Sequence, residues 1–185
     1  MTVYIALLRG INVGGKNKIK MAELKSVLEA MGLERVQTYI QSGNVLLASD
    51  EEEEPLRMRL EQGIEGAFGF PVPVMLRTAE ELERTAASCP FTEEEVKAAE
   101  ASSEAESLYV AFLSAPPSEA GIARLEPYKQ ENEAYRIEGR EVFLLFHNSV
   151  RSSKLAVHLS KLGVPSTVRN WKTVNKLAAL AREMS

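Results

Sequence analysis

Residues 3–31 have the sequence VYIALLRGINVGGKNKIKMAELKSVLEAM, in which a strand pattern, a glycine-rich loop and a helix pattern follow one another. The apolar run ends at Leu8, and hydrophobic residues at helical spacing begin at Met21. The loop between them holds three glycines, two asparagines, four basic residues and no acidic residue. Free N–H groups at a helix start attract anions, so this arrangement predicts an anion-binding site.

The same loop has part of the spacing of a phosphate-binding P-loop. Gly10, Gly15 and Lys16 fit the pattern G-x-x-x-x-G-K, but the next residue, Asn17, lacks the hydroxyl that holds magnesium in such loops. No apolar strand ending in Asp follows, and the helix pattern begins several residues late. The alternative is a solvated connection whose glycines allow positive φ, and the sequence favours this alternative.

The composition is that of an ordinary globular protein. The chain has 185 residues, of which 45% are hydrophobic and 26% charged, with a net charge of −4. The acidic balance argues against a dedicated nucleic-acid binder but leaves room for a local basic patch. Cys89 is the only cysteine, so we expect no intramolecular disulfide and a cytoplasmic location. We expect neither a signal peptide nor a membrane span.

Hydrophobic periodicity predicts the order β-α-β-β-α-β in the first half, which is the split ferredoxin-like unit. We expect a Gln41-Ser42-Gly43 hairpin turn between the second and third strands, a second helix capped by Ser49-Asp50, and a fourth strand that Pro73 marks as an edge. The predicted strands cover residues 3–8, 35–40, 44–48 and 71–76, and the first helix covers residues 21–31.

The pattern then restarts after two connecting helices, of which the first opens with a capping box at Thr78 and the second opens at Thr92. YVAFL at 109–113 resembles YIALL at 4–8, and we expect Tyr4 and Tyr109 to be equivalent. Leu155, Leu159 and Leu162 predict one helix. We therefore predict an α+β fold of two ferredoxin-like βαββαβ halves, an internal duplication, with connecting helices and an extra C-terminal helix. The segments are 1–77, 78–106 and 107–185.

Three helix starts carry bases, although the helix dipole favours acids there. They involve Lys16, Lys18 and Lys20, then Arg151 and Lys154, then Arg169 and Lys172. The topology groups the first set with the hairpin, and groups the other two at the opposite end of the second sheet. The predicted ligand-binding residues are Arg9, Gly10, Asn12, Gly14, Gly15, Lys16, Gln41, Ser42, Asn44, Arg151, Lys154, Arg169 and Asn170. We expect Arg9, Lys16, Lys154 and Arg169 to serve binding more than folding.

No residue pattern indicates a metal or a cofactor. His147 and His158 lack metal-ligand spacing, and Cys89 is expected to be a small buried apolar residue. We identify no nucleophile or general base, so catalytic residues are not predicted and enzymatic activity stays open.

Three segments of the chain resemble a known family. YIALLRGINVGGKNKIKMAEL, TYIQSGNV and TVRNWKTVNKLAAL are similar to the family called domain of unknown function 1697, a group of small bacterial proteins. The resemblance implies an α+β fold of ferredoxin-like halves and implies no activity. Its motifs coincide with the two basic clusters. The approach to Lys154, HNSVR at 147–151, is less glycine-rich than the family pattern.

Three functions remain as alternatives. The first is binding of a small anionic, phosphate-bearing ligand by the basic clusters. The second is single-stranded nucleic-acid binding on open sheet faces, which needs exposed aromatic side chains such as Tyr4, Tyr109 or Phe143. The third is a protein-interaction module, which needs an exposed apolar patch. The sequence predicts neither the oligomeric state nor whether the two clusters face each other.

Overall fold

The computed structural model describes residues 1–102 and 104–185, which form two compact units. Unit 1 contains Met1–Arg84 and Asn175–Ser185, and unit 2 contains Thr85–Val174. The last helix therefore begins in unit 2, while its later residues belong to unit 1. The predicted segments 1–77, 78–106 and 107–185 divide the chain at other residues.

Unit 1 is built on a four-stranded sheet with the order β2-β3-β1-β4, in which all neighbouring strands are antiparallel. The first elements of the chain are β1 (Thr2–Leu8), α1 (Met21–Ala30), β2 (Glu34–Tyr39), β3 (Asn44–Ser49), α2 (Glu53–Phe68), β4 (Val74–Thr78) and α3 (Ala79–Ala87). The last residues of α3 belong to unit 2. The succession agrees with the prediction, and β4 is an edge strand. A P-loop belongs to a parallel sheet, so this antiparallel sheet argues against a P-loop in unit 1.

The core of unit 1 follows from the predicted periodicity. Leu24 and Leu28 of α1 are buried with Leu56 and Leu60 of α2 in one cluster that includes alternate residues of β1. The intervening residues of β1, such as Ile5, are also fully buried. Both faces of the central strand are therefore buried, which is why its sequence is a continuous apolar run instead of an alternating one.

Unit 2 is built on a second four-stranded antiparallel sheet with the order β6-β7-β5-β8. The remaining elements of the chain are α4 (Glu93–Ala101), β5 (Leu108–Leu113), α5 (Glu119–Leu125), β6 (Glu133–Glu138), β7 (Glu141–Phe146), α6 (Lys154–Val157), β8 (Ser166–Asn170) and α7 (Trp171–Met184). The predicted α+β class with two similar halves is thus confirmed.

The two sheets share register as well as strand order. Tyr4 pairs with Thr78 at the end of β4, and Tyr109 pairs with Asn170 at the end of β8. Thr78 and Asn170 each accept a hydrogen bond from the third backbone N–H of the following helix. α3 is therefore the counterpart of α7, and the first half also has a helix after its fourth strand. Internal duplication stays a prediction about the origin of the chain.

The helix predicted around Leu155, Leu159 and Leu162 is interrupted. α6 is a single α-helical turn that ends at His158 (φ −102°, ψ 17°), and residues Leu159–Leu162 form a 3-10 helix. In a 3-10 helix residues three apart lie on the same side, so Leu159 and Leu162 both stay buried. The core contacts are kept although the helix type changes.

The start of α2 also differs from the prediction. Ser49 completes β3, and its hydroxyl accepts a hydrogen bond from the backbone N–H of Glu51 instead of capping the helix. Glu52 occupies the N-cap position, and its side chain makes no capping hydrogen bond. Among the described residues no helix is long and apolar enough to cross a bilayer.

We predict opposite effects of alanine at two helical glycines. A Cβ atom at Gly121 would lie 2.3 Å from the carbonyl oxygen of Leu162, so Gly121→Ala should lower the free energy of unfolding by about 1–3 kcal/mol. At Gly66 a Cβ atom would meet no described atom within 4 Å, so Gly66→Ala should raise it by about 0.5–1 kcal/mol. Denaturant unfolding measures both, and equal stabilities would contradict the close packing at Gly121.

Candidate functional site

The loop between β1 and α1 contains a small hairpin of its own. The backbone N–H of Lys16 donates to the carbonyl of Val13 (3.0 Å), and Gly14 and Gly15 have φ of 59° and 75°. Two consecutive positive φ values are the requirement of a type I′ turn, which glycine meets without strain. These glycines thus explain the turn without any ligand.

Two apolar side chains fasten the loop to the core of unit 1. Ile11 and Ile19 are both almost completely buried in the cluster that holds α1 and α2. Between them the backbone adopts positive φ at Asn12 (55°) and Asn17 (51°), a conformation that asparagine tolerates better than most residues. The loop is therefore held at both ends while its tip extends into solvent.

The side-chain amide of Asn12 joins this loop to the β2–β3 hairpin. Its nitrogen donates to the carbonyls of Gln41 (2.8 Å) and Ile19 (3.0 Å). Its oxygen accepts from the backbone N–H of Ile19 at 2.8 Å. All three contacts are made with the protein itself, so Asn12 positions the neighbouring residues.

A cleft of about 720 Å³ lies where the loop, the hairpin and the first turn of α1 meet. Ile19, Met21 and Ala22 are its apolar lining side chains, while Lys18, Lys20 and Glu23 give it charge. The lining residues are Asn12, Gly15, Lys18, Ile19, Lys20, Met21, Ala22, Glu23 and Gln41.

The start of α1 adds positive potential to this cleft. Lys20 is the N-cap residue, and its side chain makes no capping hydrogen bond to the first-turn N–H groups. The first turn, Met21 to Glu23, lines the cleft directly. Uncapped N–H groups and two lysine residues therefore line the same cleft, with Glu23 as the one acid among the lining residues.

The predicted hairpin residues have different environments. Gln41 and Ser42 are exposed, whereas Asn44 is fully buried. The Asn44 amide donates to the carbonyl of Tyr39 and to the hydroxyl of Ser42, each at 2.9 Å. Gln41 faces the cleft, while Asn44 holds the turn together. We therefore leave Asn44 and Ser42 out of the candidate site.

Arg169 lies in the interior, with 6% of its surface exposed. It donates to the hydroxyl of Thr167 (2.8 Å) and to the carbonyl of Val168 (3.0 Å). Burial lowers its pKa to about 10. Arg77, which has the same position in β4, is also buried. This geometry gives Arg169 a role in the fold, in contrast to the expectation that it serves mainly a ligand.

The start of α7 is not a basic cluster. The Asn170 side-chain oxygen caps the helix through the N–H of Thr173 at 2.8 Å. Lys172 and Trp171 line a cleft of about 370 Å³ together with Glu100, Glu104 and Glu106. Three carboxylates around one lysine oppose anion binding.

Arg151 and Lys154 are exposed, and neither lies at the start of a long helix. α6, which Lys154 begins, has four residues and so no substantial dipole. The neighbouring cavity of about 280 Å³ has no Lys or Arg among its described lining residues, which include Glu131 and Glu133. Of the first predicted group, the structure places Asn12, Gly15 and Gln41 along one cleft. The described cavities beside the second group have mainly acidic charged linings.

The aromatic residues named for nucleic-acid binding are mostly covered. Tyr4 and Phe143 are 5% and 1% exposed, and Tyr109 is partly buried and packs edge-on against Phe146. Among the described residues no group of three or more His, Cys, Asp or Glu side chains could hold a metal ion.

Comparison with known proteins assigns the chain to a family. The family model described as "Protein of unknown function (DUF1697)" matches residues 1–143. The chain belongs to this family. The matched residues include the whole cleft, while Arg151, Lys154, Arg169 and Asn170 lie beyond them.

A solved structure, described as that of conserved bacterial protein SP0830 from Streptococcus pneumoniae, is 30% identical with a TM-score of 0.71. The alignment covers 97% of this chain and 98% of that chain. No curated protein matches the chain.

The cleft also includes residues outside the predicted ligand-binding set. Lys18 and Lys20 line the cleft, whereas the sequence predicts them only as basic residues near the start of a helix. The alternation Lys18-Ile19-Lys20 is the signal that could have identified them. When the middle side chain is buried, the flanking two project outward.

We predict that Asn12→Asp destabilises unit 1 by about 1–3 kcal/mol. A carboxylate cannot donate to the carbonyls of Ile19 and Gln41. In the variant a carboxylate oxygen would therefore lie against these two carbonyl oxygens, with no hydrogen between them. Asn17→Asp is the control, since Asn17 makes a longer contact of 3.3 Å to the Gly10 carbonyl. Denaturant unfolding and hydrogen exchange at the Ile19 amide measure the effect, and unchanged exchange in Asn12→Asp would contradict it.

Proposed function

We propose that unit 1 binds a small anionic, phosphate-bearing ligand in the cleft between the loop, the hairpin and α1. The carrying observation is that Lys18 and Lys20 line a cleft at the uncapped start of α1. The chain as a whole has a net charge of −4, so this concentration of positive charge is local. Of the predicted residues, Asn12, Gly15 and Gln41 line the same cleft.

The energy of such binding comes from charge-assisted hydrogen bonds. A phosphate oxygen that accepts from a lysine ammonium gains roughly twice the energy of a neutral hydrogen bond. Because both lysines are exposed, salt screens the attraction, and binding should weaken as ionic strength rises. The negative charge of Glu23 would repel an inorganic anion and so offset part of the attraction of the two lysines. The proposal concerns binding and names no reaction.

The remaining predicted residues have secondary roles in this proposal. Arg9 and Lys16 are exposed residues of the same loop and would contribute long-range attraction. Gly10 and Gly14 shape the loop through positive φ. Arg151, Lys154, Arg169 and Asn170 are not part of the proposed site. A cytoplasmic location and the absence of a cofactor stay predictions from the sequence.

A second candidate function is docking of a protein partner at the tips of the loop and the hairpin. Val13 and Ile40 are 66% and 48% exposed. Ile40 also has φ of 50°, which is costly for a β-branched residue. Nucleic-acid binding on the sheet faces is less favoured because its aromatic residues are covered.

The anion proposal predicts a salt-dependent rise in melting temperature on addition of phosphate, sulfate, sugar phosphates or nucleotides at low ionic strength. Lys18→Gln and Lys20→Gln should change the free energy of unfolding of the unliganded protein by no more than about 0.5 kcal/mol, because both positions are exposed. Both substitutions should reduce the ligand-induced rise in melting temperature. Differential scanning fluorimetry measures both effects.

Lys25→Gln is the matched control, since Lys25 is an exposed lysine of α1 outside the cleft lining. It should keep the full ligand-induced rise. The anion proposal fails if no anion raises the melting temperature, or if Lys25→Gln loses as much as the cleft variants. Val13→Ser, which removes an exposed apolar side chain outside the cleft lining, should also keep the rise.

A further inference from the structure

We infer that the ligand of this cleft is an organic phosphate of nucleotide size, in which a phosphate and a ring system with hydrogen-bond donors bind together. The inference rests on the proposed function and narrows its ligand class. Three properties of the cleft lead to it: volume, apolar wall and the placement of Glu23.

The first property is volume. The cleft measures about 720 Å³, which falls within the range of roughly 300–1,000 Å³ typical of sites for organic ligands. A single tetrahedral anion beside Lys18 and Lys20 would fill a small part of this space. The rest would remain water, so most of the cleft surface would contribute nothing to the binding of inorganic phosphate.

The second property is the apolar wall. Ile19, Met21 and Ala22 line the cleft between the charged residues. Ile19 and Met21 are only 2% and 9% exposed, so the exposed Ala22 offers most of the apolar side-chain surface among these three. Gly15 also lines the cleft and has no side chain, and a Cβ atom there would meet no described atom within 4 Å. An apolar ring can therefore approach the loop backbone and cover surface that is now in contact with water.

The third property is the carboxylate of Glu23 in a cleft that otherwise attracts anions. Glu23 repels a bare phosphate, but a carboxylate accepts hydrogen bonds from hydroxyl and amino groups. Gln41 adds an exposed amide that both donates and accepts. A nucleoside phosphate satisfies all these groups, because it places a phosphate, sugar hydroxyls and a base within one molecule.

The test is isothermal titration calorimetry at low salt with adenosine 5′-monophosphate, adenosine and inorganic phosphate as probes. Adenosine 5′-monophosphate should bind at least about tenfold more tightly than either of the other two, since each part of the ligand adds contacts. Ala22→Glu should abolish this binding by placing a carboxylate in the cleft. Ala30→Glu, at an exposed position at the other end of α1, should bind as the wild type does.

Glu23→Ala separates the two parts of the ligand. It should strengthen the binding of inorganic phosphate, because a repulsive charge is removed, and weaken the binding of adenosine 5′-monophosphate, because an acceptor is lost. Glu29→Ala, an exposed acid at the end of α1, is the control and should change neither. Circular dichroism spectra that match the wild type verify that each variant is folded.

The outcomes distinguish this inference from the proposed function. If inorganic phosphate binds as tightly as adenosine 5′-monophosphate, and Ala22→Glu abolishes both, the anion site stands and the inference is overturned. If adenosine alone binds as tightly as its phosphate, or if no probe binds, both fail. If Ala22→Glu binds like the wild type, the ligand lies elsewhere and the inference is again overturned.

Discussion

The side-chain amide of Asn12 is the interaction on which the candidate site depends. It spans the loop by contacts to both backbone groups of Ile19 and reaches the carbonyl of Gln41 in the hairpin. With Ile19 fixed in the core, Lys18 and Lys20 must project toward solvent at the start of α1. The hydrogen bonds of Asn12 and the burial of Ile19 thus together shape a basic cleft in a chain whose net charge is negative.

Most of the fold could be predicted because burial and secondary structure leave a periodic pattern. The apolar run before Arg9 and the spacing of Leu24 and Leu28 gave β1 and α1 nearly residue by residue. The break between α6 and the 3-10 helix has no such local signal. The 3-10 helix packs against α5, where Gly121 closely approaches the carbonyl oxygen of Leu162, and a single sequence does not display this contact between distant segments.

The loop of the candidate site was predictable from the sequence, whereas the second predicted cluster, which included Arg169 and Asn170, was not placed correctly by sequence reasoning. Between Gly10 and Asn17, each glycine and each asparagine has a positive φ, a conformation that these two residue types tolerate. The exposure of a basic side chain on a strand is harder to predict. It depends on which sheet face is covered, and Arg169 lies on a covered one. Asparagine can bind a ligand or cap a helix, and the sequence alone does not distinguish the two roles. In the structure Asn170 caps α7.

The most direct test of the account is the location of the bound ligand. Two-dimensional ¹⁵N–¹H spectra of the intact protein, titrated with adenosine 5′-monophosphate, report on every assigned backbone amide. The account predicts chemical-shift changes at Gly15, at residues 18–23 and at Gln41, with residues 151–172 unaffected. Changes confined to residues 151–172, or no changes at any ligand concentration, would contradict it.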